Sequence, residues 1–199
     1  MSARATPAEL EAGLDTVREA PADRGTLELV VVRPEVGERE VLDEATLDLE
    51  DGVVGDRWRN AGRSGGRPAN VNAQVTLMSA RAAALVAGEH ERWPLAGDQL
   101  YVDIDLSGEN LPPGTRLGIG SAVLQVTEEP HTGCKKFTER FGLDAMRSIA
   151  AQAATSPETL KDAPLTRPVR RLDEVKAAKQ PVLRHAFDDA SAPDRIETA

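Results

Sequence analysis

The sequence predicts a mainly β domain with flanking helices, a largely antiparallel barrel that is only partly closed. Three observations predict it. Short stretches alternating apolar and polar residues recur between residues 27 and 128. Turn-forming Gly and Pro residues separate them. Only two helical patterns interrupt this stretch or border it, so strands do not alternate with helices as they do in a doubly wound sheet. Closing the sheet hides the edges of its short strands.

The elements follow in order. Residues 1–24 form an N-terminal helix or arm: Thr6 suits the cap, Pro7 the first turn, and Glu9 the positive end of the dipole. Leu10, Leu14 and Val17 share one face, and Pro21 ends the helix. Residues 27–32 read as a strand closed by Arg33-Pro34, and 38–50 as two short extended pieces. A long glycine loop follows. The stretch 70–78 alternates, with Val71, Ala73, Val75 and Leu77 on one face of a predicted strand. Ser79 caps a helix over 80–87, stopped by Gly88. Residues 100–106 alternate again, and 115–119 with 122–128 form a hairpin about Gly120-Ser121. After Cys134 the 3–4 residue spacing of Phe137, Phe141, Leu143, Met146, Ile149 and Ala150 predicts helix.

The barrel domain is thus expected over 25–150, with 151–199 as a poorly ordered tail. From Ala150 to Ala199 only nine of fifty residues, 18%, are Leu, Ile, Val or Phe. So few large apolar side chains add little core. Five prolines break the segment, and a short helix near 172–179 is the one element expected in it. On this reading a truncation near residue 155 leaves stability unchanged.

Charge narrows the function classes. With 24 Lys and Arg against 33 Asp and Glu, the chain carries −9, which argues against nucleic acid and against an anionic membrane surface. Its apolar runs are too short to span a bilayer, its first residues lack the apolar stretch of a signal peptide, and its single cysteine forms no internal disulfide. The expectation is a cytoplasmic, reduced protein. Three His and one Cys lack metal-ligand spacing.

Three clusters carry the candidate chemistry. Glu128-Glu129-Pro130-His131-Thr132-Gly133-Cys134-Lys135-Lys136 stands where a strand ends and a helix begins. His131, Lys135, Lys136 and the following helix N-terminus all favour the Cys134 thiolate, the form that acts as nucleophile or metal ligand. A lone cysteine reads equally well as a small buried hydrophobe. Asp56 and Arg57, with Arg59, Arg63 and Arg67 on the glycine loop, are candidates to clamp a phosphate or carboxylate. The bland reading is a solvated loop. Ser107-Gly108-Glu109-Asn110-Leu111 either fixes a turn through side-chain bonds to backbone or orders a ligand loop.

Together these pieces resemble the MOSC family, named for the C-terminal domain of molybdenum cofactor sulfurase. The resemblance rests on the strand ending in Arg33-Pro34 with its loop closing on Gly55-Asp56-Arg57, on Gln74-Val75-Thr76-Leu77 and its helix, on Gly108-Glu109-Asn110, and on the hairpin leading to Pro130-His131-Thr132-Gly133-Cys134. It spans roughly residues 25–149 and implies a MOSC-type β-barrel. It also implies a stand-alone sulfur carrier or transferase acting through a persulfide on Cys134, with His131 and Lys135 tuning the thiol. A cysteine desulfurase-type donor would load it, and a metal–sulfur or molybdopterin acceptor would unload it. The alternative it implies is a molybdenum-cofactor-binding module or reductase component, with Cys134 as metal ligand and Asp56, Arg57, Arg63, Glu109 and Asn110 around the pterin. Sulfurases use pyridoxal phosphate in a separate domain, so no such site is expected in this chain.

The sequence departs from the family pattern after Ala150, where a strand, a glycine turn and a Gly-Asp would close the barrel. Divergence or a shifted reading frame produces such a break, and its abruptness favours the second. The departure predicts incomplete closure.

Overall fold

The computed structural model describes residues 4–61, 68–129, 135–152, 166–171, 175–178 and 181–185. The chain opens with α1 (Pro7–Arg18). Its capping box is complete: the Glu9 amide donates to Thr6 Oγ1 at 3.3 Å, and the Thr6 amide donates to Glu9 Oε2 at 2.8 Å. Then come β1 (Arg24–Val32), β2 (Glu40–Leu42), β3 (Glu44–Asp48), β4 (Gly52–Val53) and the single turn α2 (Trp58–Ala61). Residues Val71–Ala73 make a 3-10 turn, followed by β5 (Val75–Ser79), α3 (Ala80–Ala87), a second 3-10 segment (His90–Ala96) and β6 (Leu100–Asp103). The hairpin β7 (Arg116–Ile119) and β8 (Ala122–Val126) turns on Gly120 at φ 62, as a turn with Gly at its first central position requires. After α4 (Lys135–Phe141) and α5 (Leu143–Gln152) come β9 (Thr166–Arg171), β10 (Val175–Ala178) and β11 (Pro181–His185).

The main sheet runs β11-β7-β8-β9-β5-β6-β1-β2, and β11 also pairs with β1, so the ladder returns on itself through seven strands. β5 and β6 are parallel, joined by the α3 crossover, and every other pair is antiparallel. Closure is thin. β11 meets β1 over three residue pairs, Arg24 to Thr26, while Val30–Val32 pair with β2 on the same edge. A small sheet, β10-β3-β4, stands beside it.

Two cores explain the apolar pattern. The barrel interior holds Leu27, Val30, Val32, Val75, Leu77, Leu100, Val102, Leu117, Leu124 and Val126. A second layer, between barrel and helices, holds Leu29, Val31, Met78 and Tyr101 against Leu10, Val17, Ala82, Ala83, Phe137 and Phe141. Strand β1 serves both layers because Glu28 is an extra residue against β6: Leu27 pairs with Val102, and Leu29 with Tyr101. That bulge turns Leu29 to the opposite face from Leu27, which simple alternation forbids.

Three expectations need correction. Val71 and Ala73 do not belong to the strand; they lie in the 3-10 turn, where the Asn70 side chain accepts from the Asn72 amide at 3.0 Å, and Val71 is exposed. Residues 175–178 are strand, not the expected helix. Tail segments 166–171 and 181–185 are strands of the main sheet rather than a poorly ordered tail, while closure stays incomplete as expected, with β11 meeting β1 over three residue pairs.

Pro168 shows how such a tail joins the sheet. It sits opposite Thr76 in the β5–β9 ladder. Both backbone groups of Thr76 engage Gln99 instead: the Thr76 amide donates to Gln99 Oε1 at 3.0 Å and the Gln99 amide to the Thr76 carbonyl at 3.3 Å. Pro168 is therefore not asked for an N–H on that side, and on the other side the β8–β9 pairing starts only at Val169. A proline in an inner strand costs no ladder bond here.

Candidate functional site

The first site residue is buried and bound. Asp56 follows Gly55, whose φ of 90 turns the loop back toward the end of β1. Its side chain is fully buried. Arg33 grips it through Nε to Oδ2 at 2.8 Å and Nη2 to Oδ1 at 2.9 Å, and the Arg33 amide adds a third bond at 2.9 Å. The Trp58 amide donates to Oδ1 at 2.8 Å. Four donors leave this carboxylate little capacity for a ligand; its work is to fasten the loop to β1. Arg57, next in line, donates its amide to the Arg33 carbonyl at 3.0 Å. Its half-buried side chain has no hydrogen bond or ion pair among the described residues. Arg59 pairs with exposed Glu50 and Asp51. Arg63 and Arg67 lie outside the described residues.

The Glu109-Asn110 turn is fixed structurally. The Asn110 side-chain amide donates to the carbonyls of Ala22 at 3.0 Å and Asp105 at 2.8 Å, and its backbone amide to Ser107 Oγ at 3.2 Å. Glu109 is exposed. These bonds tie the turn to residue 22, at the start of β1, whereas Asp56 and Arg57 are tied to residue 33, at its end. A strand of that length spans about 30 Å. The two groups of candidate pocket residues therefore stand at opposite ends of the barrel.

Strand β8 runs antiparallel to β1: it starts at the Arg33 end, and its last residue, Val126, is hydrogen-bonded to Gly114 and Thr115, shortly after the Asn110 turn. Just beyond, Thr127 Oγ1 donates to the Asn72 carbonyl at 2.6 Å. His131 and Cys134 lie outside the described residues. Lys135, the first described residue after them, has an exposed side chain 3.7 Å from Glu139. Phe137 and Phe141, with ring centroids 4.9 Å apart, anchor α4 on the outer core.

Three arginines meet at the Arg33 end, and sequence reasoning missed two of them, Arg39 and Arg140. Arg33, Arg39 and Arg140 come from three separate segments and all donate to carbonyls between residues 94 and 97: Arg39 Nε to Pro94 at 3.2 Å, Arg140 Nη1 to Leu95 at 2.6 Å, and Arg33 Nη1 to Gly97 at 2.8 Å. Burial, then the nearby charges of Arg140 and Arg33, lower the pKa of Arg39. Tyr101 reaches the same region, donating to the Trp93 carbonyl at 2.7 Å, and burial pushes its pKa up. Only Arg33 was legible beforehand, as the residue that closes a strand. Among the described residues no group of three or more His, Cys, Asp or Glu is placed to hold a metal, and no helix is long and apolar enough to cross a membrane.

Comparison with solved structures identifies the architecture. The YuaD protein from Bacillus subtilis superposes with a TM-score of 0.53 over 83% of this chain and 97% of its own, at 12% identity. A hypothetical protein of known crystal structure superposes at 0.54 over 87% of this chain and 72% of its own, at 19% identity. The fold is MOSC-like. At these identities the likeness concerns the fold alone, and no family model matches the sequence.

Curated relatives match only in part. The "Probable glycine dehydrogenase (decarboxylating) subunit 2" of Bacillus velezensis is 45% identical over 58 residues, 29% of this chain and 12% of that protein. The protein of the same name in Thiobacillus denitrificans is 55% identical over 38 residues, 19% of this chain and 8% of its own. The chain thus spans about an eighth of the length of the first of these relatives.

Proposed function

We propose that this MOSC-like protein is a sulfur carrier or transferase that works through a persulfide on Cys134, with a molybdopterin-type centre as the acceptor. The observation that carries the reading is the placing of α4, the helix that begins directly after Cys134. Its Arg140 donates to the Leu95 carbonyl, beside the carbonyls of Pro94 and Gly97 that Arg39 and Arg33 hold. Cationic side chains near a thiol favour its thiolate, which is both nucleophile and sulfur acceptor. In the loading step the thiolate attacks the terminal sulfur of a persulfide on a desulfurase-type donor. The new S–S bond forms on Cys134, the donor cysteine leaves as thiolate, and the terminal sulfur is passed on.

The alternative role, a cofactor-binding module with Cys134 as metal ligand, has less support. Of the residues expected around a pterin, Asp56 and Asn110 already have their polar atoms engaged by protein groups, and Glu109 stands at the far end. Arg57 is the candidate that remains with donors to offer.

Intact mass after incubation with cysteine desulfurase and cysteine tests the proposal. Gain of one sulfur on the wild type and none on Cys134→Ala is the expected result. A folded wild type that gains no sulfur would reject the carrier reading.

A further inference from the structure

The outer face of α4 and the start of α5 carries charge mostly of one sign. Lys135, Lys136 and Arg147 are exposed, and Arg140 is half-buried. Arg4 joins them from the N-terminal segment. Its Nη2 donates to the Glu139 carbonyl at 2.6 Å, and a Cβ built on Gly142 would lie 3.5 Å from its Cδ, so it lies along the turn between the two helices. Against these five cations stand two acids, Glu139 and Asp144. Glu139 is 3.7 Å from Lys135, while Lys136 and Arg147 have no ion pair among the described residues. The face is net positive in a chain whose charge is −9.

Two large apolar side chains are left exposed on the same face, Leu95 and Leu143. Leu95 adjoins α4 through Arg140, which donates to its carbonyl at 2.6 Å. Leu143 opens α5 directly after Gly142, and Arg147, four residues on, shares its side of the helix. Packing accounts for the inward side of α4, where Phe137 and Phe141 are buried. It does not account for leucines kept in water among cations. An apolar centre with a charged rim is how protein-binding surfaces are built. From Lys135 to Arg147 the two helices extend over about 20 Å at most, within the footprint of a standard interface.

Charge says what fits. The rest of this acidic chain repels an acidic partner, so a local positive face both draws such a partner and fixes how it approaches. Because α4 begins directly after Cys134, a partner covering Lys135 is one residue from the thiol. We infer that the outer face of α4, with Arg4, Leu143 and Arg147, docks an acidic, leucine-bearing segment of the protein that donates sulfur to Cys134. The inference rests on the carrier reading and adds the chemistry of the partner. The transfer is the one already described: the Cys134 thiolate takes the terminal sulfur of the donor persulfide, and the donor cysteine leaves as thiolate.

The experiment compares sulfur donors on the full chain, with the rate of sulfur gain read by intact mass. Two synthetic peptides each carry one cysteine persulfide and two leucines; one is rich in glutamate, and the other has glutamine in its place. Free cysteine persulfide is the third donor. At low salt the acidic peptide should load the wild type about tenfold faster than the glutamine peptide, and about 0.5 M KCl should abolish the difference. The double variant Arg4→Glu, Arg147→Glu should lose most of that advantage and accept sulfur from free cysteine persulfide at the wild-type rate. The pair Arg18→Glu, Arg24→Glu makes the same change of charge near the start of β1 and should keep it. Leu143→Ser should slow the acidic peptide about threefold at either salt concentration. If the double Glu variant does not fold, Arg4→Gln with Arg147→Gln should lose about half of the advantage. A wild type loaded by cysteine persulfide but indifferent to peptide charge overturns the docking surface and leaves the carrier reading standing. So does a folded Arg4→Glu, Arg147→Glu variant that keeps the acidic preference. A folded wild type that no donor loads overturns both.

Discussion

Asp56 shows how much one side chain can hold. Its carboxylate is buried, grips Arg33 in two parallel bonds, and accepts amides from Arg33 and Trp58. Removing it leaves Arg33, with 23% of its side chain exposed, largely out of water without a counter-ion. Breaking such a pair is strongly destabilising, by about 2–3 kcal/mol for one still partly wet. Asp56→Ala should therefore lower the melting temperature by roughly 5–10 °C, read by circular dichroism. A change of less than a degree would show that the clamp carries no stability. At this scale the sequence was informative about identity and silent about role. Gly55-Asp56-Arg57 stood out as a motif, yet nothing in it says that the acid faces the protein and the neighbouring arginine does not. Arg39 and Arg140 were invisible because they are far apart in sequence and meet only through the carbonyls of 94–97.

Elements are where local sequence rules worked best. The α1 capping box, the Ser79-capped helix and the Gly120 hairpin all obey chemistry within a few residues. Strand β1 obeys something longer in range. A Cβ on Gly25 would lie 1.9 Å from the Asp103 carbonyl oxygen, so β1 and β6 approach too closely there for any side chain. The obstacle is backbone, which cannot swing aside. Gly25→Ala should cost about 1–3 kcal/mol, measured as a shift in urea midpoint. The same substitution without effect would mean that the two strands separate freely at this point. The bulge at Glu28 has no sequence signature either. Leu27, Leu29, Val30, Val31 and Val32 read as a continuous apolar run, which fits a strand buried on both faces but does not say where the faces exchange.

For the whole molecule, the C-terminal strands decide closure. β9 lies between β8 and β5, and β11 between β7 and β1. Removing them opens two gaps in the main sheet and leaves four strand edges unpaired, a template for aggregation. Truncation after residue 155 should therefore lower the melting temperature by more than about 10 °C or yield insoluble protein, against the unchanged stability that composition suggested. A truncated chain that melts like the full one would remove β9 and β11 from the folded barrel. Composition misled because it counts large apolar residues. A strand completing a sheet contributes its backbone bonds as well, and Pro168 falls where none is required of it.

By itself the sequence determined the elements whose causes are local: the caps, the hairpin turn, the alternating strands and the mainly β class. It also marked the Cys134 motif and the Asp56-Arg57 loop as places for chemistry. Only the tertiary structure decided at which end of the barrel each described group stands, because that depends on pairings such as Val30 with Leu100 and Leu100 with Leu77, between segments dozens of residues apart. Hydrogen-bonded register across a sheet is not written in any one strand. It is the pairing of strands that sets Asn110 at one end and Asp56 with the arginines at the other.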